Sequence, residues 1–229
     1  MNRPEIAKTI YLAITTLFLC FDAASQEDNL KVAQYDPFEI DVLHHYHNNV
    51  RQVLLKKPIY HSKAAFICIP PFSVEFALLL WQEEEAAGYS LIYRKASKSI
   101  WKTTSNAQNQ KRPKRPKLEH IKVPIEEMVL QIDDSLAHKI IDIYQTALNH
   151  SYLPKAYHRG LDGVTYYFYE QRGYINFGKT WSPQKGTKMR ELADISSELV
   201  GLVVDKSNYE KKRASILMRI ENLAYRLKN

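Results

Sequence analysis

Three histidines lie close together in the first third of the chain, and imidazole is the commonest metal ligand among side chains. His44 and His47 are three residues apart, so on a helix they lie on neighbouring turns and could share a metal ion. A metal site needs further ligands, and no other His, Cys or carboxylate stands at a recognisable metal-site spacing from this pair. We therefore interpret His44, His45 and His47 as residues on and beside a solvated helix face, and we expect no metal and no cofactor.

Cys68 is the candidate for nucleophilic chemistry. A nucleophilic cysteine needs a pKa lowered by a cation, a nearby histidine or a helix N-terminus. Phe66, Ile67 and Ile69 surround this cysteine in an apolar run that is typical of a buried strand. We predict a buried thiol that fills space in the core.

Two carboxylates, Glu75 and Asp162, could form an acid and base pair, but nothing in the sequence places them together. The chain has no GxSxG, SxxK or Walker-type motif, and its seven glycines leave little material for a phosphate-binding loop. We assign no catalytic residue. A hydrolase that uses scattered carboxylates remains the alternative to a protein without catalytic activity.

Aromatic residues are concentrated in one segment, where seven of them fall between Tyr166 and Trp181. Alternation along a strand sends Tyr167 and Tyr169 to one face and Phe168 to the other. We expect one face to pack on helices and the other to carry tyrosines into solvent. There Tyr167, Tyr169 and Trp181 could stack on a sugar or anchor a protein partner. Because aromatic residues also favour strands, a purely structural role is the competing interpretation.

The net charge of +7 comes from one segment of the chain. Between Arg94 and Lys122 there are ten basic residues and one acid, so that segment carries +9 and the remainder about −2. We predict a disordered loop over residues 103–118, because this stretch has almost no apolar residues to bury. It could touch an anionic envelope surface or an acidic protein partner, or act only as a solubilising loop. The basic residues in question are Lys111, Arg112, Lys114, Arg115 and Lys117.

The N-terminus has the three parts of a secretory signal peptide. Arg3 and Lys8 precede the uncharged run Thr9–Phe21, and the small residues 23–25 follow. As a helix the run would rise about 20 Å, which is too short for a hydrocarbon core of about 30 Å. We therefore predict a cleaved signal peptide over residues 1–25 and a periplasmic or secreted protein with no membrane span, and keep an inner-membrane anchor as the alternative. Export argues against a nucleic-acid partner, and the oligomeric state is left open.

Residues 26–229 have the pattern of a single α+β domain, with a mostly antiparallel sheet packed by about four helices. We expect a helix that starts at Asp36 and Pro37, a helix over Asp133–Ser151, and two C-terminal helices, the second starting at a Ser207-x-x-Glu210 capping box. We expect strands over 64–69, 74–81, 89–95, 99–101, 120–125, 163–169 and 174–179.

Four segments together resemble a family of uncharacterised secreted proteins from Gram-negative bacteria. They are Pro70-Pro71-Phe72-Ser73-Val74-Glu75-Phe76-Ala77-Leu78, Ser99-Ile100-Trp101, Leu161-Asp162-Gly163-Val164-Thr165-Tyr166-Tyr167-Phe168 and Thr180-Trp181-Ser182-Pro183. The resemblance implies an exported protein and transfers no catalytic residue. We therefore expect an exported binding protein that acts by surface recognition, for example an inhibitor or immunity-type protein of the cell envelope.

Overall fold

An antiparallel sheet of seven strands organises the chain, and we describe it from a computed structural model. The structure describes residues 28–32, 44–55, 59–82, 88–110, 121–153, 163–172 and 176–229. The strand order is β1-β7-β6-β2-β3-β4-β5, and every neighbouring pair is antiparallel. The strands are β1 (Lys31–Val32), β2 (Ala64–Ile69), β3 (Phe76–Gln82), β4 (Tyr89–Ala96), β5 (Ile125–Ile132), β6 (Thr165–Glu170) and β7 (Phe177–Trp181).

The described part of the chain also contains five α-helices. They are α1 (His44–Val50), α2 (Ile100–Gln110), α3 (Asp134–Asn149), α4 (Lys188–Val204) and α5 (Tyr209–Lys228). Together with the antiparallel sheet they confirm the predicted α+β class. None of the described helices has the length and apolarity needed to cross a bilayer.

One face of the sheet is covered by α3, α4 and α5. The apolar positions of α3 and α4 recur at helical spacing and are buried, as the sequence predicts. Asp133 caps α3 by accepting a hydrogen bond from the Leu136 amide, and Thr187 does the same for α4 at Arg190. These helices pack on the side chains of Phe66, Leu78, Leu80, Leu91 and Phe168.

The opposite face is covered by α1, by the π-helical turn Arg51–Leu55 that continues it, and by the start of α2. Val50, Leu54 and Ile100 are buried there against Ile67 and Leu79. Both faces of β2 are therefore buried, which explains why this strand is apolar at every position. The predicted start of the first helix, at Asp36 and Pro37, lies outside the described residues.

Three predictions about local structure are wrong. The strand expected over 120–125 is instead β5, Ile125–Ile132, an exposed edge strand in which Glu126 and Glu127 interrupt the apolar alternation. Residues 99–101 do not form a strand, because Ser99 caps a helix through the Lys102 amide. That helix, α2, includes 103–110 of the predicted loop, while 111–118 lie outside the described residues.

The capping box at Ser207 is also absent. Asn208 occupies the N-cap position of α5 in the left-handed conformation, with φ 55°, and makes no side-chain capping bond. The helix itself forms as predicted, with Ile216, Ile220, Leu223 and Leu227 buried. Burial of this stripe therefore suffices to form α5 without the cap.

Candidate functional site

The strand register gathers the four segments singled out in the sequence at one end of the sheet. Ile69 pairs with Thr165, Thr165 with Trp181, and Cys68 with Phe76, so these strand ends lie side by side. Lys95 pairs with Phe76 and brings the start of α2 to the same place. We call this end, formed by residues 69–76, 95–102, 163–166 and 180–183, the motif end.

Glu75 is the fully buried carboxylate at the centre of the motif end. Its Oε1 accepts hydrogen bonds from the Tyr46 hydroxyl, at 2.9 Å, and from the Trp101 amide, at 3.0 Å. Its Oε2 accepts one from the Ile100 amide at 2.8 Å. Glu75 thus caps α2 from a distant loop and places its negative charge at the positive end of the helix.

The same carboxylate sets the electrostatics of its neighbours. Burial, followed by the charge of Glu75 and its hydrogen bond, raises the pKa of the Tyr46 hydroxyl far above its usual range. Burial and then Glu75 also raise the pKa of the Cys68 thiol to about 12. Cys68 is therefore protonated at neutral pH, which is the opposite of what a nucleophilic cysteine needs. The prediction of a buried thiol is confirmed.

Gly163 and Trp181 explain why two of the four segments occur together. A Cβ atom at Gly163 would clash with the indole of Trp181 and with Ser182 Oγ. The Val164 amide donates a hydrogen bond to Ser182 Oγ, at 3.0 Å, and the Ser182 amide donates one to the Val164 carbonyl, at 2.9 Å. The glycine thus lets β6 begin directly against the end of β7.

Three large aromatic side chains at the motif end are exposed to solvent. Phe72 is 74% exposed, Trp101 40% and Trp181 45%. Trp181 ends β7, Phe72 lies between β2 and β3, and Trp101 lies on α2, which follows β4. In the order β7-β6-β2-β3-β4, at a spacing of about 4.8 Å, the outer two of these strands are about 19 Å apart. We call these three residues the aromatic rim. Lys98 and Lys102 are exposed beside it.

The tyrosines predicted to face solvent do not do so. Tyr167 is 4% and Tyr169 1% exposed, because α1 and its continuation cover the sheet face on which they lie. Trp181 does reach solvent, at the end of the same sheet face. The basic candidates Lys111, Arg112, Lys114, Arg115 and Lys117 lie outside the described residues.

The remaining candidates are not brought together by the described residues. His47 is buried and packs its ring against Tyr46, at 5.4 Å between centroids, so the expected solvated position is wrong for this histidine. The side chains of His44 and His45, and all of Asp162, are outside what the structure describes. Within the described part, no three His, Cys, Asp or Glu side chains are grouped to hold a metal ion.

Several residues of the motif end escaped the sequence interpretation although signals for them exist. Phe72 follows two prolines, which is typical of a loop and therefore of an exposed ring. Tyr89, Leu91, Tyr93 and Lys95 alternate along β4, and this period places Lys95 where the buried face ends. Glu75 was considered only as a possible acid or base, and its capping role had no local signal, because the amides it accepts from lie 25 and 26 residues further along the chain.

Comparison with known proteins assigns no role to these residues. No family model, no curated protein and no solved structure matches the chain. Function is therefore inferred from the chemistry of the motif end.

Proposed function

We propose that this chain is an exported binding protein that recognises a protein partner through the aromatic rim and has no catalytic activity of its own. The observation that carries the proposal is the exposure of Phe72, Trp101 and Trp181 together at one end of the sheet. Large aromatic side chains provide the strongest anchors in protein interfaces, since each buries a wide apolar surface on binding.

The charges around the rim indicate the kind of partner. Lys95, Lys98 and Lys102 all lie at the motif end. Glu75 is buried under α2, and Glu127 forms an ion pair with Arg94 at 2.7 Å. Glu126, the cross-strand neighbour of Lys95, is an exposed acid near this end, against three lysines. A partner with apolar pockets in an acidic surface is complementary to this end. A hydrolase or toxin of the cell envelope, blocked by an inhibitor or immunity-type protein, is the concrete version we favour.

The hydrolase alternative draws no support from Glu75. A general acid or base must reach the substrate, and this carboxylate is fully buried with both oxygens occupied by three donors. These bonds assign it a structural role at the start of α2. Binding is therefore the function that the geometry supports best.

Site-specific photocrosslinking tests the proposal. A photoreactive phenylalanine analogue at position 72 of the full chain, expressed in the cells that make it, should form one dominant crosslinked species. The same analogue at Tyr225 is the matched control, because that side chain is 72% exposed on α5 and belongs neither to the aromatic rim nor to the motif end. Equal crosslinking at the two positions would overturn the proposal.

Once the crosslinked partner is identified, its affinity should depend on the rim. Phe72→Ala, Trp101→Ala and Trp181→Ala are each expected to weaken binding by about tenfold or more, as for interface anchors. Tyr225→Ala should leave the affinity unchanged. Thermal unfolding of each variant shows whether a loss of affinity comes from a missing contact with the partner or from a destabilised fold. Unchanged affinity in all three rim variants would contradict the assignment.

A further inference from the structure

A cavity of about 360 Å³ opens at the motif end, between the sheet and α4. It lies on the sheet face opposite to Tyr167 and Tyr169. Phe76, Val164 and Tyr166 provide much of its apolar lining, and Ser197 of α4 closes one side. Volume, apolar walls and a few polar groups are the usual properties of a small-molecule site.

Two phenol hydroxyls reach this cavity without a protein partner. Tyr93 is only 7% exposed and Tyr166 is half-buried, and both line the cavity. Within the part of the chain that the structure describes, neither hydroxyl makes a hydrogen bond. Neither oxygen is sealed in the core, so both hydroxyls are available to a ligand in the cavity.

Lys95 gives the cavity a positive charge. It is the one charged side chain among the described residues that line the cavity. Its cross-strand neighbour Glu126 does not line the cavity, but its charge reaches Tyr93, whose pKa is raised by burial and then by Glu126. Arg190 and Asp194, which face Tyr166 from α4, are paired with each other at 2.8 Å. The cavity therefore offers one cation and two hydroxyls to an anionic ligand.

The aromatic walls are held in place by other rings. The Phe76 ring meets that of Tyr93 edge to face, with centroids 5.8 Å apart. Tyr166 stacks on Phe66 at 5.7 Å. Fixed aromatic walls can stack on a flat ring, and a flexible chain would lose more of its own conformational freedom than a rigid ring on binding.

We propose that the cavity binds a small aromatic carboxylate, with its ring against Phe76 and Tyr166 and its carboxylate on the Lys95 ammonium and the Tyr93 hydroxyl. At about 30 Å³ for each water-sized group, the volume holds roughly a dozen non-hydrogen atoms, the size of one substituted ring with a short acid side chain. This site is additional to the aromatic rim and needs no protein partner.

Calorimetric titration of the full chain with 4-hydroxycinnamate, its neutral amide and decanoate tests the proposal. The aromatic acid should bind about tenfold or more tightly than the amide, because only the acid pairs with Lys95. Tighter binding of decanoate would overturn the aromatic class. No binding of any of the three would overturn the site.

Substitutions in the cavity test separately how much its charge and its shape contribute to ligand binding. Lys95→Met should weaken the acid by about tenfold and leave the amide unchanged, while the exposed neighbour substitution Lys98→Met should change neither. Ser197→Trp, at an exposed position on α4, should block the cavity without disturbing the core. Equal losses in the Lys95 and Lys98 variants would contradict the proposal, and crosslinking at position 72 reports separately on the aromatic rim.

Discussion

The two faces of the sheet are covered by helices in different ways. On the face of α3, α4 and α5, the core is formed by apolar side chains at helical spacing. Polar contacts add to it: the Tyr144–Ser196 hydroxyl pair, at 2.8 Å, joins α3 to α4, and Arg172 links the buried Glu170 to Asp142 of α3. On the face of α1 and α2, buried polar groups join separate elements. Glu75 holds the start of α2, Asn49 donates to Thr104 at 2.9 Å, and Arg94 donates to the Leu54 and Leu55 carbonyls.

The difference shows two ways of fixing a helix on a sheet. A long helix with an apolar stripe is held by burial, which is non-directional and spread over many residues. The first turn of α2 and the short α1 offer less apolar surface, and directional hydrogen bonds set their position instead. The motif end depends on the second way, because Trp101 is placed by the bond to Glu75.

The largest expected effect is the loss of the Glu75 carboxylate. Glu75→Ala leaves the Tyr46 hydroxyl and two helix amides without their acceptor, which should lower the free energy of unfolding by on the order of 4 kcal/mol. Urea denaturation measures the change. Glu126→Ala, at an exposed position, is the control and should cost less than about 0.5 kcal/mol. A Glu75→Ala loss below about 1 kcal/mol would mean that the network does not hold α2.

A pair of matched hydroxyl deletions compares the faces directly. Tyr46→Phe removes a bond to a buried charge and should cost about 2 kcal/mol, whereas Tyr144→Phe removes a bond between neutral hydroxyls and should cost about 1 kcal/mol. Both are read from the same denaturation curves. An equal or larger loss in Tyr144→Phe would remove the proposed distinction between the faces.

The smallest effect concerns the surface of the helical layer, where Asp133 caps α3 and pairs with Arg213 of α5 at 2.7 Å. The hydrogen bonds from Arg213 lower the pKa of Asp133 to about 2. Because the folded-state pKa is depressed, this stabilisation is present above about pH 4 and is lost as the pH falls through about 2. Asp133→Asn keeps the cap but not the charge, and should cost about 0.5 kcal/mol at neutral pH. Its stability should also fall less steeply than that of the parent between pH 4 and 2, and identical slopes would contradict the assignment.

The same contrast decides what could be predicted from the sequence. Helices α3, α4 and α5 and the buried strand β2 follow from local periodicity, because burial repeats along the chain at the helical or strand period. The exposure of Tyr167 and Tyr169 could not be judged in this way. Alternation states that they share a face, but whether that face is covered depends on α1, more than a hundred residues earlier in the chain.

The segments that form the motif end could be recognised in the sequence, but their assembly at one end of the sheet could not. Its four segments and Trp181 stood out as composition and pattern, while their meeting point depends on strand order. The link from Glu75 to Ile100 spans 25 residues and has no local signature, so α2 was predicted in part as a loop. The Ser99 cap was the one local signal for this helix. Because Ser99 closely follows a strand, residues 99–101 were predicted as a further strand of the sheet.

The exposed edge strand β5 has a consequence for the behaviour of the protein at high concentration. Eight residues long, with Met128 and Val129 both partly open to solvent, its outer side could template the addition of a strand from another molecule. The exposed carboxylates of Glu126 and Glu127 would bring like charges together if this strand paired with a copy of itself. These two charges oppose growth of the sheet beyond β5.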